Sequence, residues 1–498
     1  MRTLPLILAF GVASTAFGAG SPVADAAQNR DGAALQSLLR QKADVTLAQP
    51  DGTTALHWAA HWNDLDMANL LLRAGARPNA ANRYGDTPLA EAATLGNPAL
   101  IGALLKAGAD AKTLTTADGE TVLMTAARAG NTEAFKLLLD HGADVNAVEK
   151  YRGQTALMWA AAERHPAIVK LLLEHGADWK IRSFDRPTKL PKLSAASSVS
   201  PMSRGGLTAF LFTAREGDIE TGTVMLDAGV DINQLDVDGA NALVVSLMNK
   251  HYAFAKFLLD RGADPNLADD KGRAALYAAV DIRNEDWSSM PSRKENDPLP
   301  SIEIVKALLA HGAQPNMALT KNLGGRSGMD LGDTTLDAGT TPFMRAARSG
   351  DAAAMQLLLQ NGADPKLATK DGSTALMFAA GVGYRDKNTR GTENEALDAV
   401  KLCLAQGMDI NQANSKGETP LHGAALRGSD LLVQFLVDHG AALDAKMKQG
   451  FTPLDVAMGK SIFGQLPVPH ESTVALIRKM GGLEGKRENV AAVPPPAH

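Results

Sequence analysis

The chain has 498 residues, of which 45% are apolar, 21% charged and only 5% aromatic, with a formal net charge of −5 and one cysteine. That balance argues against a nucleic-acid partner, since no basic run tracks a helix face, and a lone cysteine (Cys403) forms no internal disulfide. A chain of this length ordinarily makes about two to four domains, yet no break in composition divides it, and it reads as one continuous array.

The first element is a secretory signal over residues 1–18: Arg2, an apolar stretch over about residues 4–12, then small residues. Ala16-Phe17-Gly18 and Ala24-Asp25-Ala26 both offer small residues at cleavage spacing. Cleavage after Gly18 is favoured, because Ser21-Pro22 has the form of a helix cap and first turn, which a cut at Ala26 would remove. The stretch is too short to span a bilayer comfortably, and no cysteine beside it permits lipid anchoring. A periplasmic or secreted protein without stable membrane insertion is expected.

Beyond this segment a glycine recurs at Gly52, Gly85, Gly119, Gly153, Gly206, Gly239, Gly272, Gly339, Gly372, Gly417 and Gly450, mostly in steps of 33 or 34 residues. A fixed period in this range marks stacked units, none able to bury its apolar face alone. Each unit opens with a turn pair such as Asp51-Gly52. A threonine cap follows, with proline at the first helical position in Thr87-Pro88, Thr341-Pro342, Thr419-Pro420 and Thr452-Pro453. Alanine pairs come next (Ala59-Ala60, Ala92-Ala93, Ala126-Ala127, Ala379-Ala380), small enough to let neighbouring helices approach closely. A second helix then carries an apolar stripe, as in Ile168, Val169, Leu172 and Leu173. It ends at a glycine suited to the left-handed cap position (Gly142, Gly176, Gly312, Gly362, Gly440).

Gly-Ala-Asp-Val-Asn at 142–146 and Gly-Glu-Thr-Pro-Leu-His at 417–422 closely resemble the ankyrin repeat. The resemblance covers roughly residues 50–480. It implies an all-α ankyrin-repeat solenoid of about eleven repeats, starting near 51, 84, 118, 152, 205, 238, 271, 338, 371, 416 and 449. An N-terminal capping half-unit precedes them, the array as a whole runs over 21–480, and residues 481–498 form a disordered tail. Four insertions break the period, near 184–203, 284–300, 321–337 and 384–394. The 67-residue gap between Gly272 and Gly339 hides no extra repeat, because only one helix pair is visible in it.

Candidate chemistry dissolves into repeat grammar. In the resemblance His57 and His422 hold the Leu-His position, where the ring bonds neighbouring backbone. His141, His175, His311 and His439 precede the glycine that ends a second helix, and His165 and His251 sit between the two helices of a unit. His61, His470 and His498 remain, too scattered for a ligand set. No His-Glu-x-x-His, cysteine pair, Gly-x-Ser-x-Gly or phosphate-cradling loop occurs. No cofactor, metal or catalytic activity is expected.

Trp58 and Trp159 share one repeat position and are expected to fill space between adjacent first helices. Trp62 falls instead on a variable position lining the concave groove, where an aromatic can anchor a partner. The same register adds His61, Thr94, Leu95, Arg128, Glu163, Arg215, Glu216, Arg348 and Arg427, and turn tips add Tyr84, Arg152 and Lys370. Trp179, in place of the usual valine, is expected beneath the first insertion. The resemblance implies a monomeric, non-catalytic scaffold of the periplasm or extracellular space that binds another protein through groove and turn tips. Two rivals are a glycan or cell-wall binder stacking sugars on Trp62 and Tyr84, and a secreted effector that binds host proteins.

Overall fold

The computed structural model describes residues 20–116, 118–185, 205–285, 297–323, 336–384, 389–460 and 469–485. The chain divides into two compact units, Met1–Ile181 and Arg182–His498. Among the described residues there are twenty-four helices and no strand, only isolated bridges such as Ala48 with Thr54. The architecture is all-helical and of the ankyrin type, and within each unit the helices come in antiparallel pairs.

In the first unit the pairs are Pro22–Gln28 with Gly32–Arg40, Ala55–His61 with Leu65–Arg73, Pro88–Leu95 with Pro98–Lys106, Val122–Ala129 with Thr132–Asp140, and Ala156–Ala162 with Pro166–Glu174. The expected N-terminal half-unit is thus a complete pair, opened by Ser21 and Pro22, with Val23, Ala24, Ala26 and Ala27 buried. In the second unit they are Ala209–Glu216 with Ile219–Asp227, Ala242–Met248 with Tyr252–Asp260, and Ala275–Arg283 with Ser301–Ala310. Pro342–Arg348 with Ala352–Gln360, Ala375–Ala380 with Glu393–Ala405, Pro420–Arg427 with Asp430–Asp438, and Pro453–Ala457 with Glu471–Lys479 follow. Among the described residues one pair lies between Gly272 and Gly339. An insertion that the sequence reading missed separates the last two helices, and its residues 461–468 lie outside the described set. Residues 186–203, 286–296, 324–335 and 385–388 of the expected insertions lie outside it too.

Caps and small residues set this geometry. Ala90 N–H donates to Thr87 Oγ1 (3.2 Å) beside Pro88, and Met344 N–H to Thr341 Oγ1 (3.3 Å) beside Pro342. The alanine pairs are fully buried, so successive first helices pack closely, Ala55–His61 on Pro88–Leu95 and that on Val122–Ala129. Turn fingers join edge to edge through one repeated bond. Arg83 N–H donates to Asp51 O (2.8 Å) in the first unit, and Asp270 N–H to Asp238 O (2.8 Å) and Lys448 N–H to Lys416 O (2.9 Å) in the second. At the opposite ends an asparagine links neighbours: Asn146 Nδ2 donates to Gly176 O (3.1 Å) while its Oδ1 accepts from Asp178 N–H (2.8 Å).

The histidines complete the frame. His141, His175, His311 and His439 each place Nδ1 2.7–2.8 Å from the carbonyl four residues earlier, capping a second helix. His57 Nδ1 accepts Thr54 N–H (3.1 Å), which leaves Nε2 to donate to Asp86 O of the next finger (2.9 Å). His422 repeats this with Thr419 N–H (3.2 Å) and Phe451 O (3.3 Å).

His165 Nε2 reaches Arg128 O (3.2 Å), and His251 Nε2 reaches Arg215 O (3.0 Å). His470, unassigned from sequence, does the same to Leu426 O (3.1 Å) and belongs with them. Each of these rings lies on a left-handed glycine of the preceding pair, Gly130, Gly217 or Gly428, where a Cβ would meet it at 2.3–2.6 Å. In the last pair Asp455 replaces the Leu-His histidine. Its Oδ2 accepts Thr452 N–H (3.0 Å) and Gly485 N–H (2.7 Å), so the first residues of the expected tail are bonded to the final repeat.

Candidate functional site

The first unit presents an aromatic and basic rim along its finger tips and the ends of its first helices. Trp62 terminates the helix Ala55–His61 and is half-buried, not a lone water-facing ring. Its ring stacks on Trp58 (centroids 6.2 Å, planes 22° apart), meets His61 edge-on (4.8 Å) and carries the Arg30 guanidinium at 5.5 Å. Its indole Nε1 is buried without an acceptor among the described residues. Trp58 donates Nε1–H to Gln49 Oε1 (2.8 Å). Trp159 is also half-buried, and Arg128 lies over it at 4.9 Å. Trp179 is half-buried too, with the Lys180 ammonium 5.3 Å above its ring.

The finger tips are more open. Tyr84 is 64% exposed and braced by Arg83, whose Nη2 donates to the Tyr84 hydroxyl (2.7 Å). Tyr151, absent from the sequence-based candidates, is 53% exposed, with Arg152 over it at 5.6 Å. Its place in the same finger as Arg152 could have revealed it by register. Glu149 holds that finger by accepting the N–H groups of Tyr151, Arg152 and Gln154 (2.6, 2.7 and 3.0 Å). Leu95 is 51% exposed, and Thr94, Arg128, Arg152 and Glu163 face water.

Between Trp62 and the second finger sits a cluster that sequence reading missed. Asp86 closes the second finger just before the helix that carries Glu91, and Glu91 Oε2 lies 3.4 Å from His61 Nδ1. Burial, and then the neighbouring Glu91 charge, push the Asp86 carboxyl up to about 6. Burial holds the His57 imidazole below its ordinary range.

In the second unit the candidate positions are engaged by the chain itself. Arg215 is half-buried, bonded to Glu216 (Nε to Oε1, 2.9 Å) and stacked on Phe212 (4.6 Å). Arg348, expected on the groove surface, is only 2% exposed, and its Nη1 donates to Gly383 O (3.0 Å). Arg427 is half-buried, covers Tyr384 at 4.8 Å and donates to the carbonyls of Gly391 and Thr392 (3.1 Å each). The longer loop between the helices Ala375–Ala380 and Glu393–Ala405 supplies those carbonyls, which is why these two guanidiniums are withdrawn from water. Lys370 remains exposed.

Nearby, Arg345 lies buried with Nε 2.6 Å from Asp281 Oδ1, and it also donates to Ser349 Oγ (2.8 Å) and the Asn284 carbonyl. Arg283 grips Asp351 with two bonds (2.7 and 3.2 Å). Among the described residues no group of His, Cys, Asp or Glu is placed to hold a metal ion, and no helix is long and apolar enough to cross a membrane.

Residues 23–115, 92–183, 196–289, 299–387 and 391–467 match the family described as "Ankyrin repeats (3 copies)". The chain is 37% identical over 118 residues to Ankyrin repeat and SOCS box protein 16 of Mus musculus, covering 24% of this chain and 25% of that protein. It is 28% identical over 191 residues to Putative ankyrin repeat protein YahD of Escherichia coli (strain K12), covering 36% of this chain and 90% of that protein. A 25% identity over 240 residues to Phosphocholine transferase AnkX of Legionella pneumophila covers 46% of this chain and 22% of that protein. This chain therefore spans about a quarter of the mouse and Legionella proteins and most of the E. coli one.

Proposed function

The chain belongs to the ankyrin-repeat family, and from that premise we propose that it is a scaffold whose partner docks on the rim of the first unit. Ankyrin repeats bind other proteins, and the fold is typically a non-catalytic scaffold, although one relative is named a transferase. One observation carries the choice of surface: Tyr84 and Tyr151 stand in water with Arg83 and Arg152 over their rings, and Leu95 and Arg128 are exposed as well. Exposed aromatics next to arginine are the composition of interface cores, whose side chains lose water on binding.

Apart from the exposed Lys370, the candidates of the second unit are already paired, buried or bonded to loop carbonyls, so His61, Trp62, Tyr84, Leu95, Arg128, Arg152 and Glu163 are the ones retained. A glycan reading is less favoured. Sugars stack on open ring faces, and guanidiniums already lie over Trp62 and Tyr84.

Export to the periplasm or beyond belongs to the same reading, supported by Arg2 and the apolar residues 4–12. A cut after Ala26 would remove most of the helix Pro22–Gln28, with three of its four buried side chains, whereas a cut after Gly18 spares it. The intact mass of the purified native protein decides between them.

The docking surface is tested by Tyr84→Ala and Leu95→Ala. Both side chains are exposed, so Tm should stay within about 2 °C of the parent, the response to a surface change of a few tenths of a kcal/mol. Retention of the partner from an extract of the producing cells should fall tenfold or more, about 1.4 kcal/mol. Unchanged retention in both variants, or capture of glycan and no protein, overturns the reading.

A further inference from the structure

Four second helices end on a histidine followed by a glycine, at His141, His175, His311 and His439, but the helix Ala352–Gln360 ends on Asn361-Gly362. This is the only Asn-Gly pair in the chain. Asn361 takes over the histidine's bond, its Nδ2 donating to Leu357 O (2.8 Å) as His141 Nδ1 does to Leu137 O (2.8 Å). The cap survives the exchange, but its chemistry changes. An imidazole offers no acyl carbon to a nucleophile, whereas the asparagine side chain offers Cγ. The glycine that follows has no Cβ to shield its backbone nitrogen, and both residues are exposed.

The reaction open to such a pair is deamidation. The Gly362 backbone nitrogen attacks Asn361 Cγ, the Cγ–Nδ2 bond breaks, and ammonia leaves with the proton that the Gly362 amide gives up. Water then adds to either carbonyl of the cyclic imide and opens it to aspartate or isoaspartate, with no change of oxidation state. In the folded repeat both reacting groups are tied. Gly362 N–H donates to Leu359 O (3.1 Å) and Ala363 N–H to Leu358 O (3.0 Å), while Nδ2 is held on Leu357 O, toward the preceding turn. Asn316 fastens the same helix end to the preceding pair. Its Nδ2 donates to Gly362 O (3.0 Å) and its Oδ1 accepts from Asp364 N–H (2.8 Å).

We propose that Asn361 is a site of non-enzymatic deamidation, protected while this helix end is closed and released when it opens, so that local opening in the second unit is recorded covalently. An ionised aspartate has no donor for Leu357 O. Isoaspartate inserts an extra backbone carbon just before a glycine held at φ +88°. Either product weakens the cap and the Asn316 link beside it, so the opening that permitted the reaction is favoured from then on.

The full chain is incubated at pH 8, in buffer and in an unfolding concentration of guanidinium chloride, and the peptide containing residue 361 is followed by mass spectrometry. Deamidation should be about tenfold or more slower in buffer, since reaction from a transiently opened state tracks the population of that state. Asn316→Ala removes both bonds to the helix end and should speed the reaction in buffer by about threefold. Asn146→Ala, which cuts the matching link to Gly176 and Asp178 in the first unit, should leave it unchanged. Asn361→Asp, identical to one product, should speed hydrogen exchange at the Gly362 and Ala363 amides, and Asn361→His, which restores the histidine cap, should not. Equal rates in buffer and denaturant, or equal rates in Asn316→Ala and Asn146→Ala, would overturn the protection. Unchanged exchange in Asn361→Asp would overturn its consequence.

Discussion

Gly217 and Gly229 share a left-handed backbone but not a neighbourhood, and the pair isolates what holds one repeat to the next. Gly217 has φ +70° and Gly229 φ +85°, so alanine at either position meets strain of about 1–2 kcal/mol. At Gly229 a Cβ would find open space, whereas at Gly217 it would meet the His251 ring at 2.4 Å and the His251 Cβ at 2.8 Å. That ring cannot swing aside cheaply, because its Nε2 is bonded to Arg215 O (3.0 Å). Forcing the contact should add about 1–3 kcal/mol of overpacking.

Gly217→Ala should therefore cost about 2–5 kcal/mol against about 1–2 for Gly229→Ala. Combined with His251→Ala, the extra cost of Gly217→Ala should vanish. Hydrogen exchange under native conditions reads the effect locally, on the helices Ala209–Glu216 and Tyr252–Asp260, because stability in a repeat array is summed over neighbouring interfaces. Equal costs at the two glycines, or an undiminished cost of Gly217→Ala without the His251 ring, would refute the lock.

Acid should loosen the repeat that opens at Thr419, because burial drops His422 from its usual 6.5 to about 4. The unfolded chain then binds the extra proton between those values, so stability is full above pH 6.5, falls through the window and is lost below about 4, by about 3 kcal/mol. His422→Gln does not titrate, and its urea midpoint should fall less between pH 7 and pH 4; parallel losses would exclude the mechanism. Arg345→Met should cost about 3–5 kcal/mol, the penalty for stripping one side of a buried ion pair, since Arg345 Nε lies 2.6 Å from Asp281 Oδ1. Adding Asp281→Asn should recover part of it, and strict additivity in urea unfolding would show that the two groups do not act as a pair.

The fold was legible because its signals are local and repeated. Thr-Pro caps, alanine pairs and terminal glycines each act within a few residues, so helix Pro342–Arg348 begins where Thr341-Pro342 says it must. Legibility failed where an insertion displaced a familiar residue. His470 does the work of His165 and His251, but a stretch near 459–468 parts it from its own first helix and hides the analogy. It failed again where a substitution altered the grammar. Asp455 stands where histidine is expected, and its carboxylate binds Gly485 N–H, so residues 481–485 extend the packed structure. Register places Trp62 at the end of a first helix, yet its stacking on Trp58 and its contact with Arg30 depend on residues of two helix pairs that no single-repeat pattern encodes.

The arginines show why a groove position in sequence is not yet a surface in space. Arg128, Arg215 and Arg348 share one position near the end of a first helix and Arg427 stands one residue further on, yet they run from exposed to buried. Repeat register alone would have made the first three alike. What differs is the supply of acceptors. Arg128 has a ring beneath it and one distant carboxylate at 3.8 Å, so its guanidinium keeps its water. Arg348 and Arg427 instead meet carbonyls at Gly383, Gly391 and Thr392, which a short inter-helix turn does not extend far enough to provide. A guanidinium offers five donors, and burying it is tolerable only where acceptors replace the lost water. The length of the loop in a neighbouring helix pair thus decides whether such an arginine can meet a partner. In this chain that length is normal across the first unit, where Arg128 stays open, and extended where Arg348 and Arg427 are turned inward.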